Sequence, residues 1–169
     1  MSEYASRNAC NNESHNDSIP GSENAGHRQA LPDSYRRLME QAIEARKRAY
    51  VPYSQFQVGA ALLDAQDGVH AGCNIENASY SPTNCAERTA LFRAIADGHE
   101  ARSFKAIAVV GNTDEPITPC GVCRQVLVEL CSPDMPVIMG NMEGDWRIST
   151  VAELLPGAFS SAQLHKSES

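Results

Sequence analysis

Ala106-Ile107-Ala108-Val109-Val110 is a continuous apolar run of strand length. A run without polar alternation predicts a strand buried on both faces, and such a sheet needs helices on both sides. The flanking segments supply them. Asn84 through Ala96 reads as a helix closed by Gly98 as C-cap, and Pro119 to about Leu130 reads as another. Pro136 to Met139 predicts a further buried strand, and Trp146-Arg147-Ile148 one more after the Glu143-Gly144 turn. Upstream, Phe56, Val58, Ala60 and Leu62 alternate as a strand, Asp67-Gly68 signals a hairpin, and Val69 to Ile75 returns. Tyr35, Leu38, Met39, Ala42, Ile43 and Ala49 follow helical spacing, with Asp33 or Ser34 as cap. Thr150-Val151-Ala152-Glu153 is a capping box that opens a short final helix. The order predicts an α/β fold, a three-layer α/β/α sandwich with a mixed five-stranded sheet.

A chain of 169 residues suits one domain with a single core. The net charge of −7 argues against a nucleic-acid surface, which needs a basic stripe. Arg46-Lys47-Arg48, with Arg36 and Arg37 on the same helix, reads as a solvated face. No apolar run approaches the ~18 residues of a membrane span, and no apolar leader precedes the domain, so a cytoplasmic location and no membrane partner are expected. Residues 1–31, with Asn11-Asn12-Glu13-Ser14-His15-Asn16-Asp17-Ser18, are too polar to repay the entropy of ordering and are expected to form a disordered tail. A single folded domain is then expected over residues 32–169.

Six cysteines in such a chain call for metal or catalytic chemistry before disulfides. Cys120-Gly121-Val122-Cys123 alone fits a redox pair, half a structural zinc site or two buried thiols. With Pro119 at the first helical position and Thr118 as cap, both thiols fall in or beside the first turn, three residues apart, and can converge on one ion. Cys85 repeats the arrangement after Asn84 as cap, and a helix N-terminus favours the thiolate that binds metal. Three thiolates on a tetrahedral zinc leave one position for water, as in a catalytic site. A closed structural site would need a fourth ligand. His70, His99 and Cys73 are available, but none has ligand-like spacing to the other three, and the two histidines read as surface or core residues.

Glu87 stands three residues after Asn84, where a glutamate commonly returns a hydrogen bond to the cap. Beside an open zinc position the same carboxylate is placed to take a proton from water. Arg88 reads either as a surface arginine or as a charge that draws electron density from the sulfurs of an anionic zinc–thiolate centre.

Cys85-Ala86-Glu87 together with Pro119-Cys120-Gly121-Val122-Cys123 resembles the zinc-deaminase signature in its three-cysteine form. From about Tyr35 to Phe159 the chain resembles the cytidine deaminase family of small zinc enzymes acting on free pyrimidine nucleosides. The match includes Pro52-Tyr53-Ser54-Gln55-Phe56-Gln57-Val58-Gly59-Ala60-Ala61-Leu62, Gly72-Cys73-Asn74-Ile75-Glu76-Asn77-Ala78, Cys85-Ala86-Glu87-Arg88-Thr89-Ala90, Pro119 to Val126 and Glu153-Leu154-Leu155-Pro156. It departs at Ser79, where relatives often carry cysteine, and at Asn84, where an apolar residue is common.

The resemblance implies one Zn²⁺ per subunit on Cys85, Cys120 and Cys123, with Glu87 shuttling protons during hydrolytic deamination of cytidine and deoxycytidine in pyrimidine salvage. It implies that Asn74 and Glu76 hydrogen-bond the ribose, that Phe56 packs on the pyrimidine, and that the Ala86 backbone lies beside the base. It also implies a homotetramer with sites near subunit interfaces, to which Tyr80 and Phe159 reach from a neighbouring subunit. Two other readings keep the metal: a deaminase of another aminopyrimidine nucleoside, such as a blasticidin-type antibiotic, and a non-enzymatic structural zinc module.

Overall fold

The computed structural model describes residues 25–26 and 30–164. The chain order is β1 (Ala25–Gly26), α1 (Asp33–Arg46), β2 (Val58–Leu63), β3 (Val69–Cys73), α2 (Ala86–Ala96), β4 (Ala106–Gly111), α3 (Gly121–Leu130), β5 (Pro136–Asn141), β6 (Trp146–Thr150) and α4 (Val151–Leu154), with a 3-10 turn at Ser161–Gln163. The sheet order is β1-β6-β5-β4-β2-β3. Among the described strands only β4 and β5 pair in parallel, and the other neighbours are antiparallel.

The five predicted strands are all present, and β1 is an addition to them. It pairs Ala25 with Arg147 and Gly26 with Trp146 along the free edge of β6. Pairing on a sheet edge uses backbone groups only, so no apolar pattern announces it. Most of the expected tail, Cys10 included, lies outside the described residues. Of the residues expected in the tail, Ala25 and Gly26 pair with β6, and Leu31 packs against the α1 side of the core.

All six residues of β4 are buried, as the apolar run predicts. Ile107 and Val109 face a cluster with Ala86, Ala90 and Leu91 of α2 and Leu127 of α3. Ala106, Ala108 and Val110 face Leu38, Met39 and Ala42 of α1. The alternation of side chains across a strand thus splits the interior into two cores, with α1 on one side and α2, α3 and α4 on the other. Among the described residues no helix is long and apolar enough to cross a membrane.

Several element ends differ from the sequence expectation. α1 stops at Arg46 rather than near Ala49, and its N-cap is Pro32, which makes no side-chain cap bond. Asp33 instead ion-pairs with Arg36. β3 stops at Cys73; Ile75 beyond it makes isolated bridges to Tyr50 and Asn84. The β2–β3 connection is wider than a two-residue turn: Asp64 N–H donates to Gly68 O, and Asp64 Oδ1 accepts from the N–H groups of Gln66 and Gly68, each at 2.8 Å. Asp67 there has φ of 67°. Burial of Asp64 opposes ionisation, but the hydrogen bonds from His70, Gly68 and Gln66 outweigh it and hold the carboxyl below its ordinary value. The capping box at Thr150 and Glu153 is formed as expected.

One close approach positions the site. A Cβ built on Gly72 of β3 would meet Ala86 O and stand 2.5 Å from Ala90 N, so the first turns of α2 rest directly on the strand backbone. Gly72→Ala is therefore expected to push α2 off the sheet. Overpacking of this kind costs about 1–3 kcal/mol, and because backbone rather than a flexible side chain is in the way, the upper end is expected in urea unfolding, together with loss of bound metal.

Candidate metal centre

The N-termini of α2 and α3 meet, and a cysteine stands at each. Cys85 is the N-cap of α2 and Cys120 the N-cap of α3, both in extended conformation and without a side-chain cap bond. The expected caps, Asn84 and Thr118, each lie too early. Asn84 is held elsewhere, its backbone paired with Ile75 and its Nδ2 donating to Thr89 Oγ1 at 3.0 Å. The shift leaves the thiols, rather than oxygens, at the positive ends of two helix dipoles. It also makes Glu87 the second helical residue, one short of the position a capping box requires.

Cys123, on the third residue of α3, completes the cluster. The Sγ atoms of Cys85, Cys120 and Cys123 all lie within 4.8 Å of one another, and Cys85 to Cys120 is 3.8 Å. Zinc–sulfur bonds of about 2.3 Å in a tetrahedron require a sulfur–sulfur separation of about 3.8 Å. The donor set therefore fits zinc in both chemistry and spacing. The hydrogen bond from Cys123 pulls the Cys85 thiol down, helped by Arg88 and Cys120 against the effect of burial. The same hydrogen bond and burial push Cys123 up. One thiolate is thus favoured in the bare trio, and a divalent cation would favour all three.

Arg88 Nη2 donates to Cys85 Sγ at 3.5 Å and to Thr83 O at 3.3 Å. Its Nε is buried without a hydrogen-bond partner, while the guanidinium also lies beside Cys123. The surface reading of Arg88 does not fit this placement. Glu87 is 4 % exposed. Burial foremost, with the negative charge of Cys85, pushes its carboxyl up to about 7.

The expected substrate residues lie on the segments beside the cluster. Asn74 and Glu76 leave the end of β3 and grip the preceding loop. Asn74 Nδ2 donates to Phe56 O and its Oδ1 accepts from Val58 N–H, both at 2.8 Å. Glu76 Oε2 accepts from the N–H groups of Tyr53 at 3.0 Å and Ser54 at 3.2 Å, and its Oε1 accepts from the Ser54 hydroxyl. The Phe56 ring is partly exposed and its tip stands against Gly111 at the end of β4. Ala86 is fully buried on the first turn of α2. Tyr80 and Phe159 are 82 % and 55 % exposed, and Gln125 fastens the Phe159 backbone to α3.

Sequence reading missed two positioning residues. Ser54 links Glu76 to the backbone of Phe56, whose N–H it accepts at 3.0 Å. Arg124 donates to Pro119 O at 2.7 Å and to Leu154 O at 3.1 Å, bracing the peptide before Cys120. Both sit inside motifs already noted, but each also holds a partner distant in sequence, Glu76 for Ser54 and Leu154 for Arg124.

Residues 32–139 match the family model of the cytidine and deoxycytidylate deaminase zinc-binding region. The chain belongs to this deaminase family. The cytidine deaminase of Sporosarcina psychrophila is 58% identical over 129 residues, covering 76% of this chain and 93% of that protein. The cytidine deaminase of Halalkalibacterium halodurans is 57% identical over 128 residues, covering 76% and 96%. The crystal structure of cytidine deaminase from Burkholderia pseudomallei is similar with a TM-score of 0.73 and 54% identity, covering 74% of this chain and 98% of that one. Family membership and the three-sulfur donor set together make zinc the cofactor.

Arg88→Ala tests the contact with the sulfurs. Zinc affinity, measured by competition with a chelating dye, is expected to fall about 10–100-fold with an unchanged far-ultraviolet circular dichroism spectrum. Unchanged affinity would return Arg88 to a role in the helix alone.

Proposed function

We propose that the chain hydrolytically deaminates cytidine and deoxycytidine to uridine and deoxyuridine with release of ammonia, within pyrimidine salvage. The observation that carries this reading is a buried carboxylate, Glu87, on the same helix turn as a three-sulfur zinc site and outside its donor set. The activity is assigned to residues 32–169, working in the cytoplasm.

Cys85, Cys120 and Cys123 would hold the zinc, which when bound supplies Lewis acidity and a water acidic enough to act as a nucleophile near neutral pH. Glu87 carries the protons. It takes one from the attacking water and gives it to N3 of the pyrimidine as the water oxygen bonds C4. It then takes the remaining proton from that C4 hydroxyl and delivers it to the amino group as the C4–N bond breaks, leaving the uracil carbonyl and ammonia. A carboxyl whose pKa lies near 7 by burial can both accept and release a proton in this setting. Arg88 offsets the negative charge of the sulfurs. Phe56 covers the face of the base, and the Ala86 backbone lies beside it.

Asn74 and Glu76 are assigned to the ribose, and their grip on residues 53–58 gives them a second task. They set the position of Phe56, so the sugar end and the base end of the pocket are coupled through Ser54. Tyr80 and Phe159 are assigned to a neighbouring subunit's site. Large aromatics held this exposed gain little in a monomer, which supports a homotetramer.

Glu87→Gln separates proton transfer from helix capping. Zinc content is expected to stay whole while uridine formation, followed by ultraviolet absorbance of cytidine, falls at least ~10³-fold, within the usual range of general acid–base catalysis. Full zinc with near-normal turnover would overturn the mechanism. Light scattering on the wild-type protein is expected to give four times the chain mass; the mass of one chain would remove Tyr80 and Phe159 from the site.

A further inference from the structure

A second group of metal-ligating side chains stands away from the sulfurs. Asp64 follows β2, His70 lies on β3, and His99 follows α2. One ligand atom from each falls within 4.8 Å of the others. His70 Nε2 is 2.9 Å from Asp64 Oδ2, and His99 Nδ1 is 3.6 Å from the same oxygen. The two imidazole rings meet edge to face with centroids 4.4 Å apart.

The cluster is built rather than incidental. The Asp64 side chain is 3 % exposed, and its Oδ1 is saturated by the Gln66 and Gly68 N–H groups, which turns Oδ2 toward the imidazoles. Behind His70, Asp97 Oδ2 lies 3.7 Å from Nδ1. His99 reaches the cluster because Gly98, with φ of +96°, reverses the chain at the end of α2. The His99 N–H then bonds Ala94 O and the Gly98 N–H bonds Ile95 O, a complete helix-terminating motif. His99 is 25 % exposed, so the cluster borders solvent on that side.

We propose that Asp64, His70 and His99 form a second site for a first-row divalent cation such as zinc, with three protein donors and water completing its coordination. Two imidazoles and a carboxylate suit zinc, nickel, cobalt or copper and do not suit calcium or magnesium. Bond lengths of about 2.0–2.2 Å in a tetrahedron place donor atoms about 3.4 Å apart, between the two separations present here. Such an ion would tie the β2–β3 turn to the C-terminal end of α2. The N-terminal end of that helix, about 16 Å away for 11 residues at 1.5 Å each, carries Cys85, Glu87 and Arg88. The expectation of one zinc per subunit counts only the sulfur site.

The test is zinc stoichiometry on the full chain without a histidine tag, dialysed against micromolar free zinc and assayed by metal analysis. Wild type is expected to hold one more equivalent than His99→Gln or Asp64→Asn. With the sulfur site already loaded by one equivalent of zinc, further zinc is also expected to raise the melting temperature of wild type by several degrees and to leave that of His99→Gln unmoved. Far-ultraviolet circular dichroism confirms that the variants are folded, and His99→Gln, whose altered side chain is partly exposed, serves if Asp64→Asn does not fold. Equal zinc content in wild type and His99→Gln overturns the site. Because the readout is metal content and not turnover, the result is independent of the proposed deamination.

Discussion

Three sulfur atoms within 4.8 Å of one another repel as thiolates, and the surrounding structure is organised to hold them there. Two helix N-termini contribute fixed positive ends, Arg88 contributes a full charge, and neither costs reorganisation when an ion arrives. Both helices must then be anchored firmly. α2 lies against the bare backbone of Gly72, and α3 is braced through Arg124 to Pro119 and to the end of α4. The sheet beneath is buried on both faces, so the helices cannot tilt without exposing apolar surface.

Glu87 shows how one placement serves two ends. Its burial on the first turn of α2 raises the free-energy cost of its charge, which brings the carboxyl near the range where it can exchange protons at neutral pH. A glutamate at the next position along the helix would close a capping box and remain a solvated carboxylate, as Glu153 does at Thr150. The difference of one residue comes from Cys85 taking the N-cap that Asn84 seemed to hold.

The segment before β2 is shaped by polar rather than apolar contacts. Glu76 and Asn74 hold residues 53–57 before β2 with side-chain hydrogen bonds, so Phe56 can stand exposed without the segment becoming loose. Polar fastening of this type costs little desolvation at the surface.

Much of this molecule was legible in short stretches of the chain. The run from Ala106 to Val110 determines a strand buried on both faces, and the 3.6- and 2-residue repeats on either side determine the layers, because burial follows the geometry of a single element. The pairing of Cys85 with Cys120 and Cys123 was readable because all three stand at helix starts with Pro119 and Glu87 beside them. Other features belong to the tertiary structure alone. The edge strand at Ala25–Gly26 uses backbone groups that carry no side-chain signal. The true caps depend on where Gly72 lets α2 rest, and the grip of Glu76 on Ser54 spans 22 residues. Asp64, His70 and His99 have no shared spacing at all; a hairpin turn and a helix terminus bring them together, and only the packing of α2 on β3 decides that they meet.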